Sequence, residues 1–263
     1  FHLQTMRAPE HFAHTIQGFH LDDFDEVMTW LHDTHHTVAD TVEIVALTKT
    51  DLAISADPIL LVTALAMVDT DELADEALAP FRGNPALDRA IFVIDNEPTT
   101  PEKERARQLH DNPEGHRWAV DNAWLSGTAT EVVPAMRRAY TTLPNEKAFT
   151  IWFSMAPLRE LPDMAFSLQS EIYLASYVLW EDAADDERHI GWLEQVMADL
   201  EPVTVGQYFG DSDHTRRQAK VMSDEAWARL QQVYADRDPD RLFVGYLGGC
   251  ENRNHWAADG EQP

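Results

Sequence analysis

The chain has 263 residues, 44% of them hydrophobic, and its 46 acidic against 20 basic side chains give a formal net charge of −26. This size predicts one large domain or two small ones with a sizeable core. A charge of this sign and size argues against nucleic acid and anionic membranes as partners, because both repel an acidic surface.

The acidic excess and the scarcity of lysine are typical of a halophilic source, where high salt screens the repulsion between like charges. The lone cysteine, Cys250, favours a reducing compartment. Since no signal peptide or run of about 18 apolar residues is present, we expect a cytoplasmic protein that does not span a membrane. The start at Phe1, within a strand-like stretch, predicts a piece of a longer polypeptide.

Alternating or β-branched stretches predict strands at 1–6, 11–21, 41–49, 59–68, 89–94, 117–125 and 147–155. An amphipathic helix is predicted from Phe24, with Asp22 as its N-cap, and another follows Thr70 with Leu73 facing inward. Residues 95–115 are polar and predict a mobile excursion with a short helix from Pro101. Further helices are predicted through 132–140, 185–200 and 223–238.

The stretch 164–180 alternates over its whole length and predicts one long strand. One predicted face is apolar and the other carries Gln169, Glu171, Tyr173 and Tyr177. This difference favours a sheet with helices on one side and something polar on the other. Together the elements predict an α+β fold, a broad antiparallel sheet with helices packed on one face.

The order of parts after residue 164 resembles the FAD-linked oxidases of the berberine-bridge-enzyme-like group. The matching parts, over about a third of the chain, are Ala165-Phe166, Trp180, the helix 185–200, Gly206-Gln207-Tyr208, Arg229-Leu230 and 238–243. The resemblance implies a ferredoxin-like substrate domain. It divides the chain into the end of a flavin domain (1–8), the substrate-binding domain (9–200), a berberine-like segment (201–247) and a flexible tail (248–263).

The resemblance also implies a function. With FAD as cofactor, the complete enzyme would oxidise an alcohol, amine or sugar-like small molecule by hydride transfer to the flavin. The FAD-binding domain that precedes this region in the family is not in this sequence. We therefore expect such a domain as a partner, upstream in the same polypeptide or separate, and an inactive chain without it.

Tyr208 is the candidate catalytic and cofactor-contacting residue, because the family has a tyrosine near the flavin at this point. The family's asparagine two positions later is replaced by Gly210, the second cofactor-binding candidate. The substrate-binding candidates are Gln169, Glu171, Tyr173, Tyr177, Trp152 and Asn122. Simpler explanations stay open for several of them: a packed tyrosine at Tyr208, a solvated carboxylate at Glu171 and core packing at Trp152.

Two other functions stay open at this point. One is a stand-alone dimeric ferredoxin-like module that encloses a small ligand, and the other is a structural partner subunit of a separate flavin protein. An enclosed pocket would favour the module, whereas an open sheet face would favour the oxidoreductase. His32 and His36 lie one helical turn apart, but without a third ligand in the pattern no metal site is predicted.

Overall fold

The computed structural model describes residues 7–110 and 114–240 together with Leu3, Thr5, Leu242 and Phe243. Eight strands form one antiparallel sheet in the order β4-β1-β3-β2-β6-β7-β5-β8. The strands are β1 His11–His20, β2 Val42–Lys49, β3 Ile59–Val68, β4 Phe92–Pro98, β5 Arg117–Leu125, β6 Phe149–Ser154, β7 Ile172–Trp180 and β8 Thr204–Gly206. The predicted α+β class is confirmed.

Six α-helices accompany the sheet in the described part of the chain. They are α1 Phe24–Thr34, α2 Asp71–Leu78, α3 Pro101–His110, α4 Ala129–Thr141, α5 Asp186–Leu200 and α6 Asp224–Arg237. Apolar side chains of α1, α2, α4 and α5 share one large core with alternate residues of the sheet. No helix within these residues is both long and apolar enough to cross a membrane.

The parity of the strands decides which side chains join that core. In β2, Ile44 and Ala46 point to the helices, while Val45 and Leu47 point to the opposite side. We call this opposite side the open face. Helix α3 lies beside the open face near β1, where Glu104 contacts His14 at 3.1 Å.

Local capping fixes several helix starts. Thr70 and Ser223 accept hydrogen bonds from the amides of Leu73 and Ala226, as predicted for N-caps. The Thr128 amide donates to Glu131 Oε2 at 2.8 Å and completes a capping box before α4. The N-cap of α1 is Asp23 and not Asp22, because a short 3-10 turn at Leu21–Asp23 precedes the helix.

The predicted long strand over 164–180 is wrong in its first half. Strand β7 begins at Ile172, opposite Leu125 of β5 and Ser154 of β6. Both neighbouring strands end there, so the pairing continues as one bond from the Met155 amide to the Glu171 carbonyl at 2.8 Å and not as a ladder. Alternation in the sequence continues where the sheet itself stops.

Other differences are local. The fourth strand is predicted over 89–94, but it begins at Phe92 and extends to Pro98, into the predicted excursion 95–115. The rest of that stretch contains α3. Leu73 is exposed, and its neighbour Ala74 is buried instead. The predicted strand 1–6 falls mainly, and the tail 248–263 entirely, outside the described residues.

Candidate functional site

A groove of about 630 Å³ runs along the open face. Its floor is formed by alternate residues of the central strands, among them Val45, Leu47 and Ile151. Tyr177 lies on one side, and Glu104 of α3 lies on the other. Charged side chains surround this floor, namely Glu43, Lys49, Glu104, Arg107, Glu146 and Lys147. A groove with an apolar floor and polar groups around it, in a volume between about 300 and 1,000 Å³, is typical of a small-molecule site.

Two tyrosines of β7 meet one carboxylate beside this groove. The hydroxyls of Tyr173 and Tyr177 both donate to Asp211 Oδ2, at 2.7 and 3.1 Å. They can share it because residues two or four apart on a strand lie on the same face. Burial, reinforced by the charge of Asp211 and its hydrogen bonds, raises the pKa of each phenol well above its ordinary value.

Asn122 of β5 fixes the turn that carries Asp211. Its side chain is fully buried and its Nδ2 donates to the carbonyls of Tyr208 and Asp211, at 3.0 and 2.7 Å. Its Oδ1 accepts from the Tyr208 amide at 2.6 Å. Strand β5 thereby holds the 208–212 turn on the open face. Arg217 adds a bidentate ion pair to the adjacent Asp121, at 2.6 and 2.7 Å.

Tyr208 projects its ring over this turn and is 38% exposed. The ring meets Phe166 and Tyr173 edge-on, with centroids 6.0 and 6.2 Å apart. A Cβ on Gly210 would lie 2.7 Å from the Tyr208 ring, so the glycine leaves the space that the ring occupies. The position of the Tyr208 ring therefore depends on the absence of a side chain at Gly210.

The structure brings together only part of the predicted substrate set. Tyr173, Tyr177 and Asn122 lie with Tyr208 at the open face. Gln169 and Glu171 precede β7: the Gln169 amide donates to the Arg159 carbonyl at 2.7 Å, and Glu171 is exposed. A second depression of about 390 Å³ includes Gln169 in its lining.

Trp152 lies elsewhere. Its side chain is buried in the core on the helix-covered face, 5.1 Å from the ring of His35. The strand pattern could not distinguish this face from the open one, because both carry aromatic residues. Trp152 therefore does not line the groove, and its packing is that of a core residue.

The other side of the groove is polar. His14 is buried, with its Nδ1 3.1 Å from Glu104 Oε1. The Thr99 hydroxyl donates to the same oxygen at 2.5 Å. Burial alone would raise the pKa of Glu104, but these two hydrogen bonds, together with the nearby charge of Arg107, bring it below its ordinary value.

The histidines at the end of α1 and in the turn after it have other contacts. His35 is buried and contacts Ser154 Oγ at 2.8 Å, and burial, together with the charges of His32 and His36, lowers its pKa to about 4. His32 contacts the Gly127 carbonyl at 3.1 Å. No group of three or more His, Cys, Asp or Glu side chains within the described residues is placed to hold a metal ion.

The open face fits one part of FAD better than the other. Its exposed aromatic rings, with polar side chains around them, suit a flat, heteroatom-rich flavin ring. A diphosphate needs clustered backbone amides or basic side chains, and the sequence has no Gly-rich loop between a strand and a helix. The basic side chains at the groove, Lys49, Arg107 and Lys147, are matched by the acidic Glu43, Glu104 and Glu146, so the lining has no cluster of positive charge for a diphosphate. The aromatic residues of the open face fit the flavin ring.

Sequence reasoning missed Asp211 and Phe149. Asp211 is one of 46 acidic residues and no local pattern distinguishes it from the others. Phe149 stacks on the Tyr177 ring, with centroids 4.7 Å apart and planes 13° from parallel. Pairing across β6 and β7 brings these two rings together. In the sequence, only the alternation predicted for both strands pointed to this contact.

Curated proteins similar to this chain carry a consistent name. An FAD-linked oxidoreductase of Hypoxylon pulicicidum is 28% identical over 229 residues, which are 85% of this chain and 50% of that protein. An FAD-linked oxidoreductase of Penicillium ochrochloron is 29% identical over 182 residues, 68% of this chain and 40% of that protein. The chain thus spans about half the length of the curated relatives it matches. No protein-family model matches it.

Solved structures share the fold. The 6-hydroxy-D-nicotine oxidase of Arthrobacter nicotinovorans superposes with a TM-score of 0.72 at 16% identity, over 92% of this chain and 55% of that one. BBE-like 1 of Physcomitrella patens gives 0.71 at 11% identity, over 92% and 55%. The predicted resemblance to berberine-bridge-enzyme-like FAD-linked oxidases is confirmed by these relatives and neighbours together.

Proposed function

We propose that this chain is the substrate-binding and catalytic portion of an FAD-dependent oxidoreductase. The substrate would be an alcohol, an amine or a sugar-like molecule, oxidised by hydride transfer. FAD supplies the hydride acceptor when it is bound. An FAD-binding domain, upstream in the same polypeptide or separate, would hold the dinucleotide against the open face.

The observation that carries this proposal is the open face itself. Four helices cover one side of the sheet, while the other side carries the groove of about 630 Å³ and the turn with Tyr208. A stand-alone ligand-binding module would enclose its ligand between the sheet and the helices, but that side is filled by packed core residues such as Phe24, Leu31 and Trp152.

Each residue at the open face has a role in this proposal. Tyr208 contacts the substrate and either orients it through its hydroxyl or, as the phenolate, accepts its proton. Gly210 keeps the space for the Tyr208 ring and for a close approach of the cofactor. Asn122 holds the backbone of the turn, and Tyr173 and Tyr177 offer hydroxyls beside the groove. Gln169 and Glu171 remain candidates for the outer part of the substrate.

The experiment is anaerobic flavin reduction. The chain is co-expressed with the upstream portion of the Hypoxylon relative, and the pair is purified in molar salt and loaded with FAD. It is then mixed in turn with panels of alcohols, amines and sugars. The proposal predicts loss of the oxidised flavin absorbance with at least one panel. Flavin that is photoreducible but stays oxidised with every panel would contradict the proposed substrate classes.

A further inference from the structure

The Tyr177 hydroxyl has its single hydrogen committed to Asp211, which is not one of the residues that line the groove, whereas Tyr177 is. It donates that hydrogen to Asp211 Oδ2, 3.1 Å away, and the hydroxyl of Tyr173 donates to the same oxygen at 2.7 Å. An ionised carboxylate only accepts hydrogen bonds, so the phenol must be the donor in each pair. What remains on the Tyr177 oxygen is acceptor capacity.

We infer that the groove selects ligands that carry a hydrogen-bond donor, a hydroxyl or an N–H group, and that the Tyr177 oxygen is the acceptor which recognises it. Asp211 is the positioning residue of this contact, because it sets the direction of the phenol hydrogen. The inference deepens the proposed function by specifying how the same site recognises its substrate.

The acceptor is held in place before any ligand arrives. The Tyr177 ring stacks on Phe149 at 4.7 Å. Asp211 is fixed from two sides, by the buried Tyr173 hydroxyl at its carboxylate and by Asn122 Nδ2 at its carbonyl, 2.7 Å away. Such fixed groups cost little ordering entropy when a ligand binds, so their directional preference is expressed in affinity.

The groove floor sets the rest of the ligand. Tyr177 lines the groove beside apolar Val45, Leu47 and Ile151. A ligand donor that lies against this floor without an acceptor would lose its hydrogen bonds to water. The matching ligand therefore has an apolar part that lies on this floor and a donor that reaches the Tyr177 oxygen, while the charged side chains of the lining, such as Glu146 and Lys147, leave room for further polar groups.

The first test measures binding of 2-phenylethanol and its methyl ether to this chain without flavin, by titration of amide NMR signals. These probes share an apolar body, and only the alcohol has a donor. We expect the alcohol to bind about 2- to 10-fold more tightly, as one hydrogen bond would give. Tyr177→Phe should abolish the preference, because it removes the acceptor and leaves the ring.

Asp211→Asn is the second variant, and Asp213→Asn is its matched control. The side-chain amide that Asp211→Asn introduces can donate to the Tyr177 oxygen, which frees the phenol hydrogen, so the preference for the alcohol should fall. Asp213 lies two residues away and contacts Thr215 instead, so its variant should keep the preference. Asp211→Glu should restore part of it.

Ultraviolet titration of tyrosine ionisation supplies a readout that a merely structural role would not change. The ionisation of Tyr177 is obtained as the difference between the titration of a chain with Tyr177 and that of the same chain with Tyr177→Phe. The pH at which Tyr177 ionises should be lower in Asp211→Asn than in the parent and unchanged in Asp213→Asn. Equal affinity for alcohol and ether in the parent chain, no binding of either, or a preference that survives Tyr177→Phe would overturn the inference. None of these results depends on flavin, so they are distinct from a failure of flavin reduction.

Discussion

Asn122 and Tyr208 are joined by two opposed hydrogen bonds, from the Tyr208 amide to Asn122 Oδ1 at 2.6 Å and from Asn122 Nδ2 to the Tyr208 carbonyl at 3.0 Å. The side chain of Asn122 thus binds the backbone of the turn in the way that a neighbouring strand would, at a point of β5 where β8 does not pair with it. A residue on the last strand but one of the sheet, beyond its pairing with β8, thereby determines where the ring of Tyr208 lies on the open face.

Asn122→Ala should destabilise the chain and release the turn. Truncation leaves the buried amide of Tyr208 and the carbonyls of Tyr208 and Asp211 without partners, which costs about 1–3 kcal/mol or more. Urea unfolding in molar salt measures the loss. Gln218→Ala, at an exposed position, is the control. Equal midpoints for the two variants would show that Asn122 does not hold the turn.

Tyr208→Phe should slow flavin reduction in the reconstituted enzyme. If the phenol transfers a proton in the reaction, the loss should be about 100-fold or more and the pH profile should change. Gly210→Ala should also slow reduction, because its Cβ would displace the ring. An unchanged rate and pH profile in Tyr208→Phe, with Tyr234→Phe as the remote control, would remove Tyr208 from the mechanism.

His35 should make the chain less stable in mild acid. Burial, with the charges of His32 and His36, lowers its pKa from 6.5 to about 4, so the unfolded chain binds its proton first and the free energy of unfolding falls as pH drops from 6.5 towards 4. The loss is about 3 kcal/mol at most. Urea unfolding at pH 7 and at pH 4.5 measures this loss. The free energy of unfolding should fall less between the two pH values in His35→Gln than in the parent chain, whereas the exposed-site variant His20→Gln should show the same fall as the parent.

Tyr173 should make the chain less stable in alkali. Burial and Asp211 raise the pKa of its phenol, so the folded chain keeps a proton that the unfolded chain releases above a pH of about 10. The free energy of unfolding should therefore fall as pH rises, by about 1 kcal/mol per pH unit from this group. Urea unfolding at pH 9, 10 and 11 should show a shallower fall in Tyr173→Phe than in Tyr234→Phe. Parallel curves would contradict the assignment.

Much of the fold followed from local signals. The alternation in 117–125 predicted strand β5 with its bounds, and Thr70 and Ser223 marked helix starts because a cap depends on a few neighbouring residues. The end of β7 did not follow, since a strand stops where its partners stop and the partners are distant in sequence. For the same reason the pattern could not show that Trp152 faces the helices.

The candidate site was predictable only in part. Tyr173 and Tyr177 share a face by strand parity, which the sequence shows. Their convergence on Asp211 depends on a turn 34 residues beyond Tyr177, held there by Asn122. Contacts of this kind have no local pattern, so neither Asp211 nor the turn-holding role of Asn122 could be inferred from the sequence.

The most direct test of the central claim is the FAD content of two purified samples, this chain alone and this chain co-expressed with the upstream portion of a relative. Both are passed through gel filtration in molar salt, and flavin absorbance is compared with protein. The proposed function predicts stoichiometric FAD with the pair and none with the chain alone. FAD retained by the chain alone, or by neither sample, would contradict it.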